Sequence, residues 1–227
     1  VLVQQLAPDR YVVSYNIYQP PASPASTIKL IVARVLQDRV RQGQISLNTQ
    51  VRIRGDLVAG GNRNSIGSYI SVRQLLINML RSSSNTSTNL LIKRMGGLNR
   101  VSAIASQLGY RNTAIRNYLS IDKQSRFPNL STVKDTTQAL KDLWLSNDDV
   151  SITAKYALRN ADTKFGYPGE IAAKIGNNSQ VTANVGIVRI RGVGYAIGIY
   201  LNRADSSKSR RTLSAALRAV VALISQS

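Results

Sequence analysis

At 227 residues and 43% hydrophobic content, the chain can bury one sizeable core, and a single domain is the default organisation. It contains no histidine, no cysteine and a single glutamate, Glu170. This excludes a Ser-His-Asp triad, disulfides, thiolate chemistry and His-based zinc sites, leaving Asp, Lys, Tyr or Glu170 as general bases.

The net charge of +19 favours anionic surroundings such as cell-wall polymers, acidic membrane surfaces or nucleic acid. The basic residues are scattered, densest at Lys208, Arg210 and Arg211, and no zinc-finger, basic-zipper or RNA-recognition signature accompanies them. Two Phe and one Trp leave little for base stacking, so nucleic acid is the least favoured of these partners. No apolar run reaches the roughly 20 residues of a membrane-spanning helix. The chain starts at Val1 without a methionine or signal-like stretch, a beginning compatible with a processed protein or an excised domain.

Residues 1–6 and 11–16 are β-rich and flank the turn-like Ala7-Pro8-Asp9-Arg10, predicting a hairpin. A Pro-rich loop over 18–24 leads into a helix over about 26–42, where Ile28, Val32, Val35, Leu36 and Val40 recur at helical spacing. Residues 55–67, rich in Gly and Asn, read as an exposed loop. Ser71-Val72-Arg73-Gln74 has the capping-box pattern and opens a helix through Leu80. Beyond a Ser-rich turn at 82–85, short helices are predicted over 86–95 and 98–108, punctuated by Gly96-Gly97 and Gly109. Residues 116–134 read as a loop, and 135–145 and 150–159 as helices. Strand-like runs over 180–191 and 194–202 around Gly192-Val193 predict an antiparallel pair, followed by an amphipathic helix over 209–225. Strands at both ends with helices between imply an α+β fold, an antiparallel sheet flanked by helices plus an all-helical lobe. The sheet lobe would span about 1–50 and 165–227 and the helical lobe about 51–164 of one catalytic domain.

Three short motifs occur in order: Ser26-Thr27-Ile28-Lys29, Ser83-Ser84-Asn85 and Lys174-Ile175-Gly176. Singly they carry little, since Ser131-Thr132-Val133-Lys134 also fits S-x-x-K and Ser87-Thr88-Asn89 also fits S-x-N. Context separates them. Ser26 stands where a buried helix begins, near backbone N–H groups that favour developing negative charge. Lys29 lies one turn on, on the same face, within reach of the Ser26 hydroxyl. Ser131 falls in a weakly patterned loop, whereas Lys174-x-Gly176 precedes the strand pair, as an edge strand lining a cleft would. The plain alternatives are Ser26 as a helix cap, Asn85 as a turn residue, and Lys29 and Lys174 as solvated cations.

The segment from Leu80 to Gly97, together with Pro24-Ala25-Ser26-Thr27-Ile28-Lys29-Leu30, resembles the corresponding regions of class A β-lactamases. Residues 97–109 and Asp135-Thr136-Thr137 continue the likeness over nearly the whole chain, except for the family's N-terminal helix. The resemblance implies a β-lactamase/transpeptidase-like fold and a serine acyl-transfer hydrolase acting on a β-lactam or a D-alanyl, peptidoglycan-type peptide. Ser26 would be the nucleophile, Lys29 its base and Ser83 the proton relay. Lys174 would attract the substrate carboxylate, and Asn85 would bind a substrate amide. The oxyanion would sit on the backbone N–H groups of Ser26 and Asn177, with Ile175 and Gly176 completing the substrate-binding strand. No metal or cofactor is implied, and the family's members are exported.

Three positions depart from the pattern. Ser84 stands for the aspartate of S-D-N, Ile175 for a Thr or Ser, and the loop taken to correspond to the family's omega loop, Arg126 to Asp135, contains no Glu. Arg126 and Asp135 would pair across that loop or stand as independent surface charges. Deacylation then lacks its usual base unless Lys29, Asp122 or another group activates water. The competing expectation is a penicillin-binding or wall-binding module that acylates slowly or never.

Overall fold

The computed structural model describes residues 1–17, 19–60, 65–121, 127–162, 169–179, 181–202 and 206–226. Strands β1 (Leu2–Gln5) and β2 (Arg10–Ser14) form the first hairpin, and helix α1 (Ile28–Arg41) follows the Pro-rich loop. A two-stranded ribbon, β3 (Gln50–Arg52) with β4 (Tyr69–Ser71), brackets the Gly- and Asn-rich loop. Helices α2 (Val72–Arg81), α3 (Asn85–Arg94), α4 (Leu98–Gln107), α5 (Val133–Leu145) and α6 (Asp149–Arg159) come next. The chain then returns through β5 (Glu170–Asn177), β6 (Val181–Ile190) and β7 (Val193–Asn202) to α7 (Ser206–Gln226).

The main sheet is antiparallel with order β2-β1-β7-β6-β5, so the first and last segments of the sequence pair directly, β1 against β7. β5 is an edge strand. The β6–β7 turn is Arg191-Gly192, one residue before the position the sequence suggests. Ile190 pairs with Val193, and both turn residues take positive φ, +48° and +82°, as a two-residue hairpin requires. One face of the sheet, with Val188, Ile190 and Ile197, is covered by Leu213, Leu217, Val220 and Ile224 of α7 at helical spacing. The other face, with Val185, Ile187 and Ala196, joins the main core around α1. Gly198 lets α5 lie against β7, because a Cβ there would overlap Thr137.

Residues 28–37 of α1 are all buried, the mark of a helix running through the middle of a core rather than along its surface. Its polar members are satisfied. Arg34 donates to Gln37 and to Tyr110 Oη, and the tyrosine hydroxyl donates to Asp142 Oδ2 at 2.5 Å. Gln37 Nε2 donates to Ser151 Oγ at 2.6 Å. These bonds tie α1 to α5 and α6 and fix the element whose first turn carries Lys29. Ser71 caps α2 by accepting from Gln74 N, whereas the Gln74 side chain bonds Asn78, so only half of the expected capping box forms.

One expectation changes here, and one is sharpened. Asp135 is buried, and its Oδ2 accepts from Asn112 N and Thr113 Oγ1, both at 2.9 Å, so it is no surface charge. Burial, offset in part by those bonds, raises its pKa. Ser131 is also buried; it shares a hydrogen bond with Thr113 and bridges Ala22 through paired backbone bonds, so its S-x-x-K match is structural. Arg126, Asp122 and residues 61–64 lie outside the described residues, as do Tyr18 and the side chains of Lys208 and Arg210.

Candidate active site

Ser26 lies in a 3₁₀ turn, Ala25–Thr27, directly ahead of α1, and Ala25 holds φ at +45° to make that turn. The turn is braced from behind. Thr27 Oγ1 donates to Pro24 O at 2.7 Å and lies 2.5 Å from Tyr200 Oη, which also reaches Thr136 Oγ1 at 3.0 Å. Burial pushes the Tyr200 phenol up to about 12, so it stays protonated as a brace.

From the sheet side, β5 comes down onto the same turn. A Cβ on Gly176 would fall 2.8 Å from Ser26 N, 2.9 Å from Pro24 O and 3.0 Å from Thr27 N. Only a residue without a side chain allows that contact.

Beneath Ser26 two lysines meet. Lys29 Nζ is fully buried and donates to Ser26 Oγ at 2.9 Å, to Asn85 Oδ1 at 2.7 Å and to Ser83 Oγ at 3.3 Å. Lys174 Nζ donates to the same Ser83 Oγ at 2.9 Å and to Ile175 O at 3.1 Å. Burial, and then the charge of Lys174, hold the Lys29 pKa well below the ordinary lysine range. Burial lowers Lys174 to about 8. One amine can therefore be neutral while the other is charged, bridged by one hydroxyl.

Ser83 takes φ +57°, and the next residue, Ser84, caps α3 by accepting from Ser87 N. In the aspartate position of S-D-N, a serine thus does the capping. Asn85, the first residue of α3, lines a cleft of about 240 Å³ together with Ser26 and Asn177. Lys29, Ser83 and Lys174 lie below the cleft. Ile175 contributes its carbonyl, its side chain pointing to the sheet face opposite Lys174.

The far wall of the cleft escaped the sequence reading. It is formed by residues 117–120 and Asn129, so its larger part lies ahead of the segment taken for the omega loop. Asn89 Oδ1 accepts from Leu119 N at 2.8 Å, and its Nδ2 donates to Leu119 O at 3.1 Å and to Leu57 O at 3.3 Å. The sequence offers only a carboxamide four positions after Asn85, on the same helix face, and its burial shows in the structure alone. Asn129 Oδ1 accepts from Arg116 N and Asn117 N and holds the base of the wall. Among the described residues lining the cleft there is no carboxylate.

The model of the β-lactamase enzyme family matches residues 1–226. The chain belongs to the β-lactamase enzyme family. Solved members of this fold superpose over almost all of it. The TLA-1 extended-spectrum β-lactamase does so at 18% identity with TM-score 0.86, covering 99% of this chain and 91% of that one. A class A β-lactamase from Bacteroides cellulosilyticus DSM 14838 gives 18%, 0.85, 100% and 92%, and PBP-A gives 22%, 0.81, 99% and 87%. At these identities the likeness carries the fold alone: that of a β-lactamase-like serine hydrolase. No curated protein sequence matches the chain. No described helix is long and apolar enough to cross a membrane.

Proposed function

We propose that this member of the β-lactamase family is a serine acyl-transfer enzyme acting on a β-lactam or a D-alanyl peptide amide. Neutral Lys29 takes the Ser26 proton as Oγ attacks the carbonyl carbon. The oxyanion is received by the backbone N–H groups of Ser26 and Asn177. Ser83 passes a proton from the lysine pair to the leaving nitrogen, the C–N bond breaks, and an ester on Ser26 remains. Lys174 faces the substrate carboxylate, and the Asn85 carboxamide holds the substrate amide. The observation that carries this reading is the Lys29 amine 2.9 Å from Ser26 Oγ, its proton affinity depressed first by burial and then by the charge of Lys174.

Slow deacylation belongs to the same proposal. No carboxylate stands among the described residues lining the cleft, so among them attack of water on the ester has no base stronger than Lys29, and the acyl-enzyme persists unless Asp122, outside the described residues, activates water. A PBP-A point mutant with the same fold is an acyl-enzyme complex with penicillin G, and a comparable adduct is proposed here on Ser26. The same observation favours the second reading, a penicillin- or wall-recognising module without turnover. Export is proposed from family membership, and attraction to anionic wall polymers from the +19 charge.

Incubation with benzylpenicillin, followed by intact-mass measurement over time, separates these readings. A long-lived adduct absent from Ser26→Ala supports slow hydrolysis, and a transient one supports efficient turnover. If wild type and Ser26→Ala both stay unmodified by lactam and D-alanyl peptide alike, the acyl-transfer reading is lost.

A further inference from the structure

Among the described residues, five non-glycine positions take positive φ: Asn16, Ala25, Ser83, Ser120 and Arg191. Arg191 lies in the β6–β7 hairpin turn, and asparagine tolerates this conformation well. The other three surround the cleft, and such backbone persists only where its surroundings over-determine it. Ala25 shapes the nucleophile turn and Ser83 carries the bridging hydroxyl. Ser120, at +57°, has no role in the chemistry above.

Its side chain supplies one. Asn85 Oδ1 accepts from Lys29 Nζ at 2.7 Å, so the amide nitrogen must face the other way, where it donates to Ser120 Oγ at 2.8 Å. The oxygen is delivered from a fixed wall, because Asn89 bonds both backbone groups of the preceding Leu119. We propose that Ser120 is a positioning residue, whose left-handed backbone presents an acceptor that locks the Asn85 carboxamide with its oxygen on Lys29 and its NH₂ towards the cleft.

Two consequences follow for the groups around Lys29, namely Ser26, Ser83, Asn85 and Lys174. A carbonyl held against an amine favours the protonated amine, so releasing Asn85 lowers the Lys29 titration midpoint further. A freely rotating carboxamide also ceases to present its NH₂ to a substrate amide, so acylation slows. The kinetic consequence rests on Ser26 being the nucleophile. The titration consequence does not.

Ser120→Gly and Ser120→Ala test the proposal together. Glycine relieves the backbone constraint and alanine keeps it, but both remove the oxygen. Acylation by benzylpenicillin, followed by intact mass, should slow about tenfold in both, as for one lost hydrogen bond. The Lys29 midpoint, read by NMR of lysine labelled at Cε, should fall in both. The glycine variant should melt at or above the wild-type temperature, which separates the hydroxyl's role from folding. A glycine variant with wild-type acylation and an unmoved Lys29 titration overturns the proposal, as does slowing confined to the alanine variant. If the wild type acquires no adduct from benzylpenicillin or from a D-alanyl peptide, the nucleophile assignment fails, and the Lys29 titration alone decides for or against Ser120.

Discussion

Replacing Gly176 by alanine isolates the contact on which the whole cleft is built. The added Cβ would sit 2.8 Å from Ser26 N, about 0.6 Å inside the 3.4 Å at which ordinary contact begins, and equally tight against Pro24 O and Thr27 N. All three neighbours are backbone atoms, so no side chain can swing away. Either β5 retreats from the nucleophile turn or the turn shifts under it, each by roughly half an ångström to one ångström. Overpacking of this kind costs about 1–3 kcal/mol, which for a chain of this size lowers the melting temperature by roughly 2–12 °C. The functional loss should be larger, because β5 carries both the Asn177 N–H and Lys174. Displacing them by about 1 Å should slow acylation of Ser26 by ~10²-fold. Stopped-time intact-mass measurement with benzylpenicillin reads the rate, and a thermal melt reads the strain. Gly55→Ala serves as control, since its Cβ would meet only Ile66 at an ordinary 3.5 Å. A Gly176→Ala protein acylating within twofold of wild type would refute the claim that this close approach sets the oxyanion geometry.

Acylation should follow a bell-shaped pH profile, because it needs Lys29 neutral and Lys174 charged. The rate should fall above about pH 8 as Lys174 loses its proton, and a rate climbing steadily to pH 10 would contradict this. Stability should move the other way. Unfolded Lys174 binds a proton that the folded state releases, so folding gains with rising pH between about 8 and the ordinary lysine value of 10.5. The Lys174 share of that gain is roughly 3 kcal/mol at most, is measurable as a shift in urea midpoint, and should be lost in Lys174→Met, leaving only the contribution of Lys29, whose burial also lowers its pKa. Leu119→Glu should set a carboxylate in the cleft wall while keeping the Asn89 bonds to its backbone, at some cost in stability from the lost core contact, and should shorten the lifetime of the Ser26 adduct by ~10²-fold or more. Equal lifetimes in mutant and wild type would mean that the base must come from elsewhere. Finally, the protein should adsorb to an anionic polymer such as polyphosphate at low salt and release as salt rises. Equal retention across that range would remove charge as the basis of any such attachment.

Much of the architecture could be read from periodicity. The buried spacing of α1, the alternation of β6 and β7 and the amphipathic stripe of α7 all describe which face meets a core, and burial is what selects those patterns. The β3–β4 ribbon was not legible, because strands of three residues carry too few alternations to register. The meeting of Lys29, Ser83 and Lys174 comes from parts of the chain 54 and 91 residues apart. Ordered motifs signal such a meeting only through family likeness, since no local rule encodes a distance of that kind. The cleft wall at 117–120 was lost for a different reason. Its conformation is dictated by a partner, Asn89, whose carboxamide looks from sequence like one more polar residue on a helix. Asp135 was misjudged in the same way, because its acceptors are satisfied by Asn112 and Thr113, more than twenty residues upstream.

The grip of Asn89 on Leu119 uses only main-chain atoms of the gripped residue. The main-chain anchorage therefore does not depend on which side chain sits at 119, although the Leu119 side chain also packs partly against the main core, so a polar replacement gives up that contact while keeping the two Asn89 bonds. A wall anchored by its peptide groups can keep its course when the facing side chain changes, with the lost core packing as the cost of the change. One substitution there can alter how long an intermediate survives without redesigning the machinery that made it.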